Sequence, residues 1–300
     1  MPSELITSAQ NPKVKRLLAL QKDSSLRRES GLFVVEGQRE LQHCIDAGFE
    51  IDTLFVCPSL LAGGGSGTLC PETVSTLGHV RGRGPQAKRS GRDERSEVSG
   101  HRVPETAAGV LTVEVSEAVY EKVAYRGGTE GVIAEVRARN RGLEDLQLPD
   151  NPLIMVLESV EKPGNLGAVL RSADAAGADA VLICDPLTDL WNPNLIRASI
   201  GAVFTVPVAV CSSEEAISWL KARGIRILTA QLQDSSLYYD TDMQGGTALV
   251  MGTESTGLSQ QWRDAADAHI RIPMLGALDS LNVSVSAAIL LFEAVRQRHN

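Results

Sequence analysis

From residue 153 onward, short apolar runs alternate with segments of helical spacing, and no other feature restricts the fold as tightly. The runs are Leu153 to Glu158, Ala180 to Cys184, Val203 to Val210, Ile225 to Ala230, Ala248 to Met251 and Ile270 to Met274. Helical spacing falls between them, at Asn165 to Ala176, Pro193 to Ala202, Ser213 to Arg223 and Ser259 to Ala268. A strand with one wet face alternates apolar and polar residues, whereas these runs are apolar on both sides and suit strands covered by helices on both faces. Short buried strands separated by helices predict an α/β fold with a largely parallel sheet. Function is then expected in the loops at the strands' carboxyl ends.

The first half mixes α and β less regularly. A basic helix is expected at Asn11 to Leu20, a strand at Phe33 to Val35, a helix at Gln38 to Ala47 and strands at Ile51 to Val56, Val110 to Val115 and Gly131 to Val136. We read 1–140 as a smaller α/β domain, 141–150 as a linker and 151–300 as the second domain. The stretch Ala62 to Gly109 interrupts the first domain with ten glycines and almost no large apolar residues. It cannot bury enough surface to offset the cost of ordering, so it reads as a disordered, solvated insertion. Its arginines leave open a second role as an RNA-touching tether.

The net charge of −8 argues by itself against a nucleic-acid partner, but its distribution is uneven. Residues through Asn140 carry 18 basic and 18 acidic side chains, and those from Arg141 onward carry 11 and 19. A neutral, arginine-rich half can still meet phosphates. Phe, Trp and Tyr number only 12, which disfavours an aromatic base-stacking sheet. Five scattered cysteines never form a Cys-x-x-Cys pair, so they read as reduced, with no metal site expected. There is no apolar run long enough to span a bilayer and no secretory signal at the start, which predicts a cytoplasmic protein without a membrane partner.

Three segments carry chemistry. In "ESVEKPGNLGAVLRSADAAGADAVLICD", from Glu158, a strand ends, Pro163 and Gly164 turn the chain, and a helix is expected to start near Asn165. Asn165 suits a helix cap, while Arg171 places a guanidinium on a helix otherwise lined by Ala, Val and Leu and calls for an anion. The same stretch loosely fits a dinucleotide-binding unit, but "PGNLGA" supplies G-x-x-G and not G-x-G-x-x-G. "ALVMGTESTGLS", from Ala248, runs a strand into Gly252, which permits a tight turn or a close approach to a ligand, with Glu254 and Gly257 following. The last segment, "DSLNVSVSAAILLFEAVRQR" from Asp279, begins with strand-like alternation and ends with helical spacing.

Together these segments resemble the motifs of the SpoU (TrmH-like) RNA ribose methyltransferases of the SPOUT superfamily. "PGNLGAVLRSADAAGA" is similar to the first motif, "MGTESTGLS" to the second and "IPMLGALDSLNVSVSAAILLFEAVRQR" to the third. "NPNLIRASIGAVFTVPV", from Asn192, resembles a further family segment. The opening "ITSAQNPKVKRLLALQKDSSLRRESGLFVVEGQRELQHCIDAG" resembles the family's RNA substrate-binding domain, with the fold of kink-turn-binding ribosomal proteins. Lys162, where an Asp or small polar residue is usual, and the Ala62 to Gly109 insertion depart from the pattern.

The resemblance implies a C-terminal domain tied in a deep trefoil knot, with S-adenosylmethionine bent inside its loops and a homodimer completing the active site. It implies methylation of a ribose 2′-hydroxyl in RNA, with ribosomal RNA favoured over transfer RNA. Carried over residue by residue, the catalytic set is Arg171, Asn165, Glu254, Ser280 and Asn282. Gly252, Ile272, Met274, Leu281 and Asn282 would hold the cofactor, and no metal is implied. The "SLN" stretch would be loop, with the last helix starting soon after Asn282. Lys13, Lys15, Arg16, Arg27, Arg28, Arg39 and Arg197 are the candidate RNA contacts. A catalytically inactive RNA-binding relative and a dinucleotide oxidoreductase are the competing readings.

Overall fold

The computed structural model describes residues 5–61, 110–125, 130–139, 141–253, 256–277 and 280–299. The insertion expected to be disordered, 62–109, lies outside the described residues. Contacts divide the chain into two compact units, Met1–Leu20 with Val34–Arg137 and Gln21–Phe33 with Ala138–Asn300.

The first unit is built on a five-stranded sheet of order β1-β4-β3-β5-β2. Its strands are β1 (Leu5–Ile6), β2 (Leu32–Glu36), β3 (Ile51–Val56), β4 (Leu111–Val115) and β5 (Val132–Arg137). The helices of this half are α1 (Pro12–Lys22), α2 (Ser24–Ser30), α3 (Gln38–Asp46), α4 (Pro58–Leu61) and α5 (Glu117–Val123). β3 runs parallel to β4 and antiparallel to β5. Val14 and Leu17 of α1, Phe55 of β3, Tyr120 of α5 and Ile133 of β5 are buried in its core. Glu135 sits among them as a fully buried carboxylate in ion-pair contact with Arg16, which also reaches Asp52 at 3.2 Å.

α2 departs from the expected 1–140 block, because Gln21–Phe33 groups with the second unit. The physical reason lies in two contacts. Arg27 is buried and its Nε donates to Asp189 Oδ2 at 2.5 Å, and the Phe33 ring stacks on Trp191 with centroids 4.4 Å apart. A buried cation with a carboxylate partner and an aromatic stack hold this segment more firmly than chain proximity.

The second unit carries a seven-stranded sheet of order β10-β12-β9-β11-β6-β7-β8, and every pairing in it is parallel. In chain order its elements are β6 (Leu153–Glu158), α6 (Pro163–Ala175), β7 (Ala180–Cys184), α7 (Pro193–Ser199), α8 (Ala202–Thr205), β8 (Val208–Cys211), α9 (Ser213–Ala222), β9 (Arg226–Ala230), β10 (Ser236–Leu237), β11 (Thr247–Met251), α10 (Gln260–Ala265), β12 (Ala268–Arg271) and α11 (Val283–Arg298). Leu153–Glu158 and Ala180–Cys184 fall where the apolar runs place them. The sequence-based boundaries differ elsewhere for local reasons. α6 begins at Pro163, since the fixed φ of proline suits a first helical position. The single helix expected over Pro193 to Ala202 is two, broken where Ile200 and Gly201 take φ of 53° and 87°. Val203 and Phe204 consequently belong to α8, and the strand shortens to β8.

Gly167 is where α6 approaches α7 most closely. A Cβ there would stand 2.6 Å from the Leu195 carbonyl oxygen and 2.7 Å from Ala198 Cβ. The second glycine of "PGNLG" therefore serves helix packing, whereas Gly164 has open space around it.

Candidate active site

The carboxyl ends of the central strands are level: Met251 pairs with Leu157, and Glu158 with Cys184, which in turn pairs with Cys211. The loops leaving these ends meet above the sheet. β11 lies between β9 and β6, so the loop after it, starting at Gly252, is central. Thr253 and Gly257 bridge to each other, N to O at 3.2 and 3.1 Å, folding this loop back on itself. A Cβ on Gly252 would fall 2.2 Å from the Gly257 carbonyl oxygen, so only glycine permits the fold-back. A tight turn is thus realised at this position.

Behind that loop is a buried polar network that supports it. Glu158, at the end of an otherwise apolar strand and 5% exposed, accepts from the Ser259 amide at 2.8 Å and from Ser213 Oγ at 3.3 Å. Ser213 Oγ in turn accepts from Trp262 Nε1 at 2.9 Å, and Trp262 is fully buried. Glu158 thus ties the end of β6 to the starts of α9 and α10. Nothing in the sequence reading singled it out, although an acid closing an apolar run was the available signal. Beside it the Cys184 and Cys211 sulfurs lie 3.8 Å apart. Their shared hydrogen bond, with burial, pushes the Cys184 thiol up and the same bond draws the Cys211 thiol down.

A cavity of about 360 Å³ opens between the loops that follow β9, β11 and β12 and the entry to α11. Met251, Leu258, Ile270, Ile272, Met274, Leu281 and Val283 give it an apolar wall. Gly252, Ile272, Met274 and Leu281, four of the expected cofactor residues, line it, and so does Ser280. Asn282 does not line this cavity. It caps α11 by accepting from the Ser284 amide at 3.0 Å, and its Nδ2 donates to Asn165 Oδ1 at 3.1 Å. The alternation around Ser280 is therefore loop and helix start, with no strand.

Asn165 is the third residue of α6 and not its cap, a position held by Lys162. It lines a smaller adjoining cavity with Lys162, Gly252, Thr253 and Val283. The Asn165–Asn282 bond thus joins the first and third motifs next to the second. Arg171 is farther along α6, exposed, with no partner for its guanidinium among the described residues, and lines neither cavity. Glu254 lies outside the described residues. The structure brings together Asn165, Asn282, Ser280 and the cofactor set, and leaves Arg171 apart from them.

The expected RNA contacts divide by their surroundings. Lys15, Arg28 and Arg39 are exposed, and Lys13 and Arg197 are partly buried. Arg16 is exposed but held by Glu135 and Asp52. Arg27 is corrected: 3% exposed and paired to Asp189, it presents no surface to a phosphate.

Sequence and structure comparisons agree on the kinship of the chain. The pattern of the SpoU rRNA Methylase family matches residues 152–292, and that of the MRM3-like substrate binding domain matches residues 11–75. The 23S rRNA (guanosine-2'-O-)-methyltransferase RlmB of Ralstonia nicotianae is 36% identical over 197 residues, which cover 64% of this chain and 79% of that protein. A crystal structure of an RNA 2'-O ribose methyltransferase, 36% identical, superposes with a TM-score of 0.75, covering 99% of this chain and 100% of the other. The AdoMet-bound rRNA methyltransferase of Sinorhizobium meliloti, 29% identical, superposes with a TM-score of 0.80 and 98% coverage of both chains. With its motif loops gathered at one sheet edge and a relative of this identity matched over most of its length, the chain belongs to the SpoU rRNA methylase family.

Proposed function

We propose that this protein is an S-adenosylmethionine-dependent methyltransferase acting on a ribose 2′-hydroxyl of ribosomal RNA. The observation that carries the reading is the cavity at the carboxyl edge, lined by Gly252, Ile272, Met274 and Leu281 and adjoining the Asn165–Asn282 pair. Its size, its apolar wall and its few polar groups suit a small cofactor. Two of those groups, Gln231 Oε1 and Arg263 Nε, are buried without a partner among the described residues, as expected of atoms that meet a ligand. The cofactor supplies an electrophilic methyl group.

The chain's own residues position the acceptor. Asn165 and Asn282, each holding the other's side chain, fix the floor on which the ribose is oriented. No histidine among the described residues lines either cavity. A guanidinium, with a pKa above about 12, makes a poor base, so Arg171 acts by orienting the nucleotide and stabilising the developing alkoxide. Arg171 lines neither cavity in its own chain, which suits a homodimer in which one protomer's Arg171 serves its partner's cavity. Exposed Val285 and Phe292 on α11, 48% and 47% accessible, supply an apolar stripe suited to that interface. The return of the chain from β12 to α11, which packs on α6, β6 and β11, suits the knotted path.

The first unit, with exposed Lys15 and Arg39, is the RNA-recruiting domain of this reading. A ribosomal RNA substrate is in keeping with the cytoplasmic location expected from the sequence. Ribose-methylation mapping of ribosomal and transfer RNA from cells with and without the gene tests the reading. One lost 2′-O-methyl mark in ribosomal RNA is expected. A lost mark confined to transfer RNA would refute the substrate, and calorimetry showing cofactor binding without any lost mark would indicate the inactive relative.

A further inference from the structure

We propose that Gln231 and Arg263 recognise the two polar ends of the cofactor, Gln231 the adenine amine and Arg263 the carboxylate. This rests on reading the cavity as the S-adenosylmethionine site. Neither residue falls within the three motifs as quoted.

Gln231 follows β9, where its backbone amide donates to the Ile270 carbonyl at 3.0 Å. Its Nε2 donates to the Gln233 carbonyl at 2.9 Å, which settles the orientation of the amide, because the flipped form would set oxygen against oxygen. The remaining atom, Oε1, is buried and lacks a donor among the described residues. An acceptor left bare in a cavity calls for a ligand N–H. The adenine ring offers one in its exocyclic amine.

Arg263, on α10, has a buried Nε with no acceptor among the described residues. Its Nη2 lies 3.8 Å from where a Cβ on Gly257 would stand, so the guanidinium follows the fold-back loop. No carboxylate belongs to a described residue lining the cavity. The other cation of the lining, Arg271, donates from Nη1 to Ser235 Oγ at 3.4 Å, toward the β10 edge. A half-buried guanidinium with no acid beside it among the described residues favours an anionic ligand, and the cofactor has a single anion, its carboxylate.

Isothermal calorimetry on the full chain tests both assignments with two ligand pairs: S-adenosylmethionine against its decarboxylated form, and S-adenosylhomocysteine against S-inosylhomocysteine, whose ring carries an oxygen where the amine was. The wild type should prefer the first member of each pair by roughly 10-fold or more, the scale of one charge-assisted or buried hydrogen bond. Arg263→Met should erase only the carboxylate preference and Gln231→Leu only the amine preference. Arg263→Lys should retain part of the former, and melting curves confirm that each variant is folded. A folded variant that keeps the wild-type preference for its own end, or that weakens both members of a pair equally, overturns the assignment. Should the wild type bind none of the four ligands, the cofactor reading itself fails; if it binds S-adenosylmethionine while Arg263→Met changes no preference, only this inference does.

Discussion

Arg16 and Arg137 of the first unit and Arg171 and Arg263 of the second stand in opposite electrostatic states. In the first unit Arg16 reaches Glu135 and Asp52, and Arg137 reaches Asp52 at 2.9 Å, so these cations are already satisfied by their own chain. In the second unit Arg171 and Arg263 have no acidic partner among the described residues. Arg27 shows that the distinction is not simply one of domain, since it belongs to the second unit and is buried against Asp189. A paired cation contributes to folding and an unpaired one is available to a ligand. Substitution should therefore move stability in one set and function in the other.

The largest effect is expected at Arg27. Arg27→Met leaves the Asp189 carboxylate without its partner, and breaking a buried pair from one side costs about 3 kcal/mol. Urea denaturation should show that loss, while RNA affinity of the folded fraction stays at the wild-type value. A drop in affinity without a drop in stability would return Arg27 to the RNA-binding set.

Arg171→Ala should show the reverse profile. Methylation should fall by roughly 100-fold, the scale of losing one preorganised charge stabiliser, with cofactor affinity and the melting temperature unchanged. Single-turnover kinetics beside calorimetry separates the two readouts. Loss of cofactor binding in step with activity would mean a structural role.

Arg16→Met should cost about 2 kcal/mol of stability at neutral pH, less than a fully enclosed pair because Arg16 is itself partly in water. The pH dependence follows from Glu135, whose carboxyl is held above its ordinary range by burial, against the opposing pull of Arg16. A group that binds its proton more tightly when folded favours the fold at low pH, and this contribution is lost as pH rises through the raised value. Removing Arg16 raises Glu135 further. The penalty of Arg16→Met should thus be largest near neutrality and shrink once Glu135 is protonated, as denaturation from pH 4 to 8 would reveal.

Glu135→Gln should have the smallest effect, within about 1 kcal/mol, since a neutral amide avoids the desolvation cost and Arg16 keeps Asp52. The variant's stability relative to wild type should rise with pH. A strong loss at every pH would mean that the ion pair itself holds the first unit together.

Much of the second unit was legible in the chain. β6, β7 and β11 are continuous apolar runs, and their period announces burial on both faces without reference to any other segment. Gly252 and Asn282 were legible because each answers a local demand, a fold-back only glycine allows and a helix start needing a cap. The break at Ile200 was not, because a left-handed conformation is rare for a branched residue and has no composition signal. Glu158 was missed for a similar reason, since its partners Ser213 and Ser259 come from distant segments.

Local sequence by itself determined the strand and helix pattern, the parallel sheet and the residues at the loop tips, because periodicity, turn chemistry and capping act within a few residues. Tertiary structure alone decided which charges are free. Arg16 meets a carboxylate 119 residues away and Arg27 one 162 residues away, and nothing near either arginine foretells its partner. The same long-range convergence sets Asn165 against Asn282 across 117 residues and leaves Gln231 and Arg263 facing one cavity. Whether a polar group is satisfied depends on what the fold brings beside it, and that is a property of the packed chain.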